Sequence, residues 1–300
     1  MNMWKHLIQP GKVARFTWRR RYWLLVLLGG LMALPPGLLG ARSVRAVENY
    51  ADPHGPMFQG DFAGPPPPLS GQIRIVSWNI RYGEAVETAV AELRHNPHLR
   101  DADVLLLQEM DETGVAYIAQ SLAYNYVYFP ASVHAHHGRN FGNAVLSKWP
   151  LSQPEKVLLP YANPSNAQRR MAAKTVITIA GAPLVVYSVH TETYWLGQRG
   201  RSAQTAAIAA DIPPGEGPVI VGGDFNTITR ADVAELSAQF TAVGLERVSA
   251  EAGPTVDVAG IDVVADHIFA RSLPLLAAGA MTETAVSDHA PVWVTLAWEN

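Results

Sequence analysis

The chain has no cysteine among its 300 residues. Disulfide frameworks, thiolate metal sites and a cysteine nucleophile are therefore excluded. Charge is sparse: 16% of the residues are charged, and the formal net charge is −3. That small total hides an uneven distribution, +5 over residues 1–70 and −8 over residues 71–300. A body without net positive charge is poorly suited to holding long nucleic acid, which needs many Lys/Arg–phosphate contacts. A small phosphodiester held through a metal remains compatible with it. What the chain does have is apolar material, 48% of its residues, ample for a packed core and too much for a disordered chain.

The positive charge gathers at the start. Arg15, Arg19, Arg20 and Arg21 precede an uncharged stretch over residues 23–40. That stretch just reaches the length of a membrane-spanning helix. The arginines would hold their end in the cytoplasm and leave everything beyond Gly40 outside. A cleaved signal peptide fits the same segment, with an apolar core over 23–34, Pro35-Pro36 as its end and Ala41-Arg42-Ser43 as a small-x-small site. The first reading expects a membrane-anchored protein and the second a secreted or periplasmic one. Both place the remainder outside the cytoplasm. Residues 41–70 hold Gly55-Pro56 and the run Pro65–Pro68, which predicts an extended, semi-rigid linker that would set the body a short distance from a bilayer. The expected organisation is a basic segment over 1–22, an anchor or signal over 23–40, a linker over 41–70 and one domain over 71–300.

Within that domain, short apolar runs recur and each ends in polar punctuation. Ile73–Trp78, Val104–Leu107, Tyr124–Phe129, Asn143–Ser147, Met171–Ile179, Leu184–Val189, Val219–Val221, His267–Ala270 and Val292–Ala297 read as strands. Their continuous apolar character predicts sheets covered on both faces. Glu84–His95, Glu112–Leu122, Gly200–Ala210 and Ala231–Phe240 have helical composition. Many strands with few helices predict two packed sheets with helices outside. Several neighbouring strands lack a helix-length crossover, which disfavours a doubly wound parallel sheet.

The residues at the strand ends carry the chemistry. Trp78-Asn79, Gln108-Glu109, His190-Thr191, Gly223-Asp224-Phe225-Asn226, Asp266-His267 and Ser287-Asp288-His289 each stand at the border of an apolar run. Gathered on one rim, these acids and amides suit a hard divalent cation such as Mg²⁺, or Mn²⁺ in its place. The histidines suit acid/base work or phosphate binding. His134, His136 and His137 form a histidine-rich loop, read as a solvated loop beside the site or as a zinc tract.

Taken together, seven short motifs resemble the endonuclease/exonuclease/phosphatase family of DNase-I-like phosphoesterases. They are Ser-Trp-Asn-Ile at 77–80, Leu-Gln-Glu at 107–109, Gly-Asn-Ala-Val-Leu-Ser-Lys at 142–148, Val-His at 189–190, Gly-Asp-Phe-Asn at 223–226, Asp-His-Ile-Phe at 266–269 and Ser-Asp-His at 287–289. They follow the family's order and span nearly all of 71–300. The resemblance implies a four-layered α/β sandwich and metal-dependent cleavage of phosphate esters. By position, Glu109 resembles the main metal ligand, with Asn79 beside it and Asp288 as a further metal-side carboxylate. Asp224 and Asn226 resemble the pair that prepares the attacking water. His289, polarised by Asp266, resembles the phosphate-binding or acid/base histidine, and His190 the second histidine. Arg170 falls where relatives place a phosphate-facing base, with Arg169 as its alternative, and Asn143 resembles a rim residue on the substrate side. Arg201 and Gln204 resemble a recurring Arg-x-x-Gln and read equally as an exposed helix face. Thr191 replaces a usual leucine, and Tyr194-Trp195 is unusual, so substrate does not carry over by analogy. Nucleic acid, lipid headgroups and sugar or inositol phosphates all fit the shared chemistry.

Overall fold

The computed structural model describes residues 47–68, 70–135 and 137–298. The 1–22 and 23–40 segments lie outside them. Among the described residues no helix is long and apolar enough to cross a membrane.

Fifteen strands and four α-helices follow one another in these residues. The strands are β1 (Phe58–Asp61), β2 (Gln72–Asn79), β3 (Val104–Met110), β4 (Asn125–Val133), β5 (Asn140–Ser147), β6 (Leu151–Ala162), β7 (Arg169–Ile179), β8 (Ala182–His190), β9 (Val219–Asp224), β10 (Glu246–Arg247), β11 (Val256–Asp257), β12 (Asp262–Val263), β13 (Asp266–Arg271), β14 (Leu275–Ala280) and β15 (Val292–Ala297). The helices are α1 (Val86–His95), α2 (Glu112–Leu122), α3 (Gly197–Asp211) and α4 (Arg230–Thr241). One sheet runs β1-β4-β5-β3-β2-β15-β14 and the other β10-β13-β9-β8-β7-β6, while β11 and β12 form a separate hairpin. Both large sheets are mixed, with parallel pairs at β2–β3 and β8–β9.

The two-residue period of a strand sorts each apolar run between two cores. Ile73, Ile75, Val104, Leu106, Val186 and Ile220 point between the sheets. Val76, Trp78, Leu105 and Leu107 point the other way and pack on α1 and α2 through Val90, Leu93, Val115 and Ile118. Tyr187, Val189 and Val221 do the same beneath α3 and α4, meeting Ile208, Leu236 and Phe240. The outcome is a helix–sheet–sheet–helix sandwich, the four-layered α/β class expected, with both faces of each sheet covered.

The expected linker needs correction. Residues 58–61 form an edge strand, with Phe58 opposite Tyr128. Residues 47–50 are bonded to the body through Tyr50 N–H to Ala131 O (2.9 Å) and Val47 N–H to Asn166 O (3.1 Å). The prolines at 65–68 occupy the connection between β1 and β2 and do not extend the chain away from the domain. The folded body thus begins by residue 47. Three other features also escaped the sequence pattern. β6 carries Pro154, Glu155 and Lys156 and lies at a sheet edge, where proline is tolerated. β14 is the opposite edge of the other sheet and is rich in Ala and Gly. The third, the β11–β12 hairpin, pairs only two residues per strand.

Candidate active site

The same alternation that builds the central core delivers the site. Residues 73, 75, 77 and 79 of β2 share one face, as do 104, 106 and 108 of β3, and 220, 222 and 224 of β9. Asn79, Gln108, His190 and Asp224 are the last inward-facing residues of their strands and Asp266 is the first of the antiparallel β13, so all five converge on one rim. Register confirms the level: Asn79 is opposite Gln108, and His190 and Asp266 are both opposite Asp224. Glu109 reaches the site differently. Between Leu107 and Met110 the β3–β5 register slips, and Glu109 adopts φ 59. That bulge turns its carboxylate toward the rim, a positive-φ conformation costly for a non-glycine residue and typical of functional sites.

Two glycines allow neighbouring strands within each sheet to pair this closely here. A Cβ at Gly223, which has φ 153, would sit 1.9 Å from Val189 O, and one at Gly142 would sit 2.0 Å from Phe129 O. Just below the rim, polar groups bolt the sheets together. Gln108 Nε2 donates to Ser188 Oγ (3.0 Å), and Asn143 Nδ2 donates to Met171 O (2.9 Å) and Ser188 O (3.1 Å). The Asn143 side chain is therefore a strut between the sheets, set beneath the rim and not on its substrate side.

Asn79 Nδ2 donates to Glu109 Oε1 at 3.2 Å and to Asp224 Oδ2 at 3.0 Å, while its Oδ1 accepts from Arg81 N–H at 3.1 Å. It bridges the two carboxylates through its amide nitrogen. Glu109 Oε2 also accepts from Tyr82 N–H (3.2 Å). Asp224 Oδ1 accepts from Asn226 N–H (2.8 Å), and Asn226 Nδ2 donates to Thr191 O (3.0 Å). The His289–Asp266 pair forms at 2.8 Å through Nδ1, and His289 Nε2 lies 3.7 Å from Asp224 Oδ2. Trp78 Nε1 donates to His289 O (3.0 Å) and fixes that loop. Asp288 is exposed beside the rim. Arg170, not Arg169, faces the site; its Nη1 lies 3.2 Å from the ring nitrogens of His190.

Electrostatics follow from burial. Desolvation raises the Glu109 carboxyl, against the pull of Arg170, and the nearby Asp288 adds to the rise. Desolvation pushes Asp224 up to about 7, opposed by His289 and reinforced by Asp266. Burial works against a charge on His289, but Asp266 and Asp224 outweigh it and raise the imidazole to about 10. His190 goes the opposite way, well below the ordinary histidine value, because it is buried and faces the cations Arg170 and His289.

The donor set fits a hard divalent cation. Glu109 is a partly buried carboxylate whose charge desolvation disfavours, and Asp288 presents a second carboxylate nearby. A cation there would relieve both effects, and oxygen donors are what Mg²⁺ takes. Asp224, Asp266 and His289 also present ligand atoms within 4.8 Å of one another. There, however, His289 Nδ1 is already bonded to Asp266, which marks an acid/base pair.

One residue of the site was missed in the sequence. Glu192 is fully buried, lies 3.2 Å from Arg170 Nε and accepts from Thr193 N–H and Asn163 Nδ2. It fixes the guanidinium against His190, and the guanidinium carbon lies over the Phe141 ring, 5.1 Å from its centroid. A glutamate two residues past a strand-end histidine was the available signal. Gln204 accepts from Glu192 N–H (2.7 Å), and Arg201 pairs with Asp232 (3.3 Å), so both are buried and neither belongs to an exposed helix face. Of the histidine loop, His134 and His137 stack against each other and on Tyr82, with centroids 4.5–5.0 Å apart, and His136 lies outside the described residues.

A sandwich of this topology with acids, amides and histidines on one rim defines a phosphoesterase architecture. The chain belongs to the Endonuclease/Exonuclease/phosphatase family, whose pattern matches residues 76–289. A UPF0294 protein of Vibrio cholerae is 36% identical over 115 residues, covering 38% of this chain and 40% of that protein. The match thus spans about two fifths of that relative's length. A UPF0294 protein of Yersinia enterocolitica is 27% identical over 245 residues, 79% of this chain and 88% of its own. Among solved structures, a family protein from Leptotrichia buccalis superposes with TM-score 0.62 at 17% identity, covering 75% of this chain and all of that one. D. rerio TDP2 complexed with single-strand DNA product gives 0.60 at 20% identity, covering 76% and 100%. A mannosyl-6-phosphatase of Bacteroides thetaiotaomicron gives 0.59 at 17% identity, covering 75% and 100%. At such identities these structures show the fold alone.

Proposed function

We propose that the chain is a divalent-metal-dependent hydrolase of phosphate esters, held at a membrane by its N-terminal segment. The observation that carries the reaction is the closed set at the rim: Asn79 bridging Glu109 to Asp224, and His289 oriented by Asp266 onto Asp224. Glu109, with Asp288 nearby, would hold a Mg²⁺ or Mn²⁺ ion, which when bound supplies Lewis-acid stabilisation of charge on the phosphate and leaving group. Asp224, fixed by Asn79 and by the Asn226 N–H, accepts the proton of the attacking water. His289, kept cationic by two carboxylates, meets the phosphate or protonates the leaving oxygen. Arg170, braced by Glu192, places a second positive charge beside His190. The chemistry of phosphodiesters and phosphomonoesters is shared here, and the neighbours named above include both a DNA-bound protein and a sugar phosphatase. Supporting the membrane reading are the arginines at 15–21 and the uncharged run over 23–40.

The purified chain with Mg²⁺ should hydrolyse bis-p-nitrophenyl phosphate and lose that activity in EDTA. Asp224→Ala and His289→Ala should each lower the rate by about 10²–10⁴-fold with the thermal transition retained. Full activity in EDTA would sink the metal requirement, and unchanged rates in both variants the assignment of the site.

A further inference from the structure

The loops at the catalytic end of the second sheet carry concentrated exposed apolar surface. Of the eleven large hydrophobic side chains exposed among the described residues, six lie there: Tyr161, Tyr194, Trp195, Ile228, Val258 and Ile261. They come from four separate connections. Tyr161 is the penultimate residue of β6, Tyr194 and Trp195 follow His190, Ile228 follows Asn226, and Val258 with Ile261 form the tip of the β11–β12 hairpin. That hairpin is fastened to the site, since Val256 bridges His289 and Thr255 Oγ1 accepts from Asp266 N–H (3.1 Å). Trp195 is 60% exposed and Ile261 67%. Arg169 at the start of β7, Arg199 in the first turn of α3 and Arg230 at the start of α4 stand exposed next to these connections, with no acidic partner among the described residues. The hairpin also carries Asp257 and Asp262, the former bonded to Gly260 N–H. Tyrosine, tryptophan, aliphatic tips and unpaired arginines together match the boundary between water and lipid headgroups.

The path of the chain points to the same face. Asn49 Nδ2 donates to Ala167 O (2.8 Å), and Asn49 Oδ1 accepts from Arg169 N–H (2.8 Å). The body is therefore entered at its catalytic end, beside Tyr161 and Arg169. Residues 41–46 alone separate that point from the apolar run over 23–40. Fully extended, the chain from Gly40 to Val47 spans at most about 25 Å. A bilayer holding the run cannot lie farther than that from the catalytic end.

We infer that the catalytic end docks on the lipid surface, and that the substrate is a phosphate ester carried by that surface, a phospholipid headgroup. This rests on the phosphoesterase and membrane readings above. The absence of cysteine allows single-site probes without background. The full chain carrying Trp195→Cys, Val258→Cys or Leu276→Cys is labelled with a polarity-sensitive fluorophore and reconstituted into phosphatidylglycerol/phosphatidylethanolamine vesicles. Leu276 is 56% exposed on β14, at the sheet end away from the site. The probes at 195 and 258 should shift to the blue and the probe at 276 should keep its aqueous emission. Aqueous emission at all three positions in protein that floats with the vesicles overturns the docking and leaves the anchor standing. Protein that does not float overturns both. In the same vesicles, Trp195→Ser with Ile261→Ser should lower hydrolysis of vesicle phospholipid about ten-fold and leave bis-p-nitrophenyl phosphate within about two-fold. Equal loss on both substrates, or loss on neither, overturns the substrate assignment. A wild-type chain inactive on both overturns the phosphoesterase reading itself.

Discussion

Glu192 shows what a single buried charge does for the site. It is fully enclosed, and its partner Arg170 is buried too. Removing one member of such a pair leaves the other charge without compensation. Glu192→Gln should therefore destabilise the protein by about 3–5 kcal/mol, read as a lower urea midpoint with unchanged slope. The same pair makes an acid limit. Burial would raise the Glu192 carboxyl, but Arg170 and the Thr193 and Asn163 donors outweigh it and hold it below its ordinary value of 4.5. Its contribution is complete above that ordinary value and is lost as pH falls through the lowered one. Wild-type stability should drop in that acid window, and Glu192→Gln should show a shallower drop there. Parallel curves for the two proteins would contradict the assignment.

At the scale of the element, the parallel β8–β9 pair is the tightest constraint. Gly223 lies opposite Val189, and a side chain there would overlap a backbone carbonyl that cannot move aside. Gly223→Ala should cost at least the roughly 1–3 kcal/mol of core overpacking. Gly217→Ala, which meets nothing within 4 Å, should leave the thermal transition in place. Such strands were the legible ones. β2, β3, β8, β9 and β15 are covered on both faces, so their runs are continuously apolar and their last residues stand out as polar. The edge strands β1, β6 and β14 are half exposed and mix in proline, glycine or charge, which erases the pattern. The site divides the same way. Asn79, Asp224, His190 and Asp266 were readable as strand ends, whereas Glu192 lies in a turn whose burial depends on α3 folding over it. The support role of Asn143 was equally hidden, because nothing local tells which carbonyls a buried amide will meet.

Across the whole molecule, the N-terminal flank is structural. Lys156 is buried, its pKa lowered by burial to about 8, and Nζ donates to Tyr50 O (3.2 Å) and Gly55 O (2.7 Å). A protein starting at residue 71 would lose both acceptors and uncover the β4 edge. Leaving a buried donor unsatisfied costs about 1–3 kcal/mol. Residues 47–300 should thus melt several degrees above residues 71–300, and equal melting temperatures would show the flank to be dispensable.

The place of β15 ties completion of the first sheet to completion of the site. β15 inserts between β2 and the edge strand β14 of the first sheet, and it follows three residues after His289. Until it arrives, β2 is an open edge, and the histidine of the acid/base pair has not yet been delivered. Pairings this distant in sequence form late and slowly. A chain cut between His289 and Val292 should accordingly lack both the closed sheet and a fixed His289.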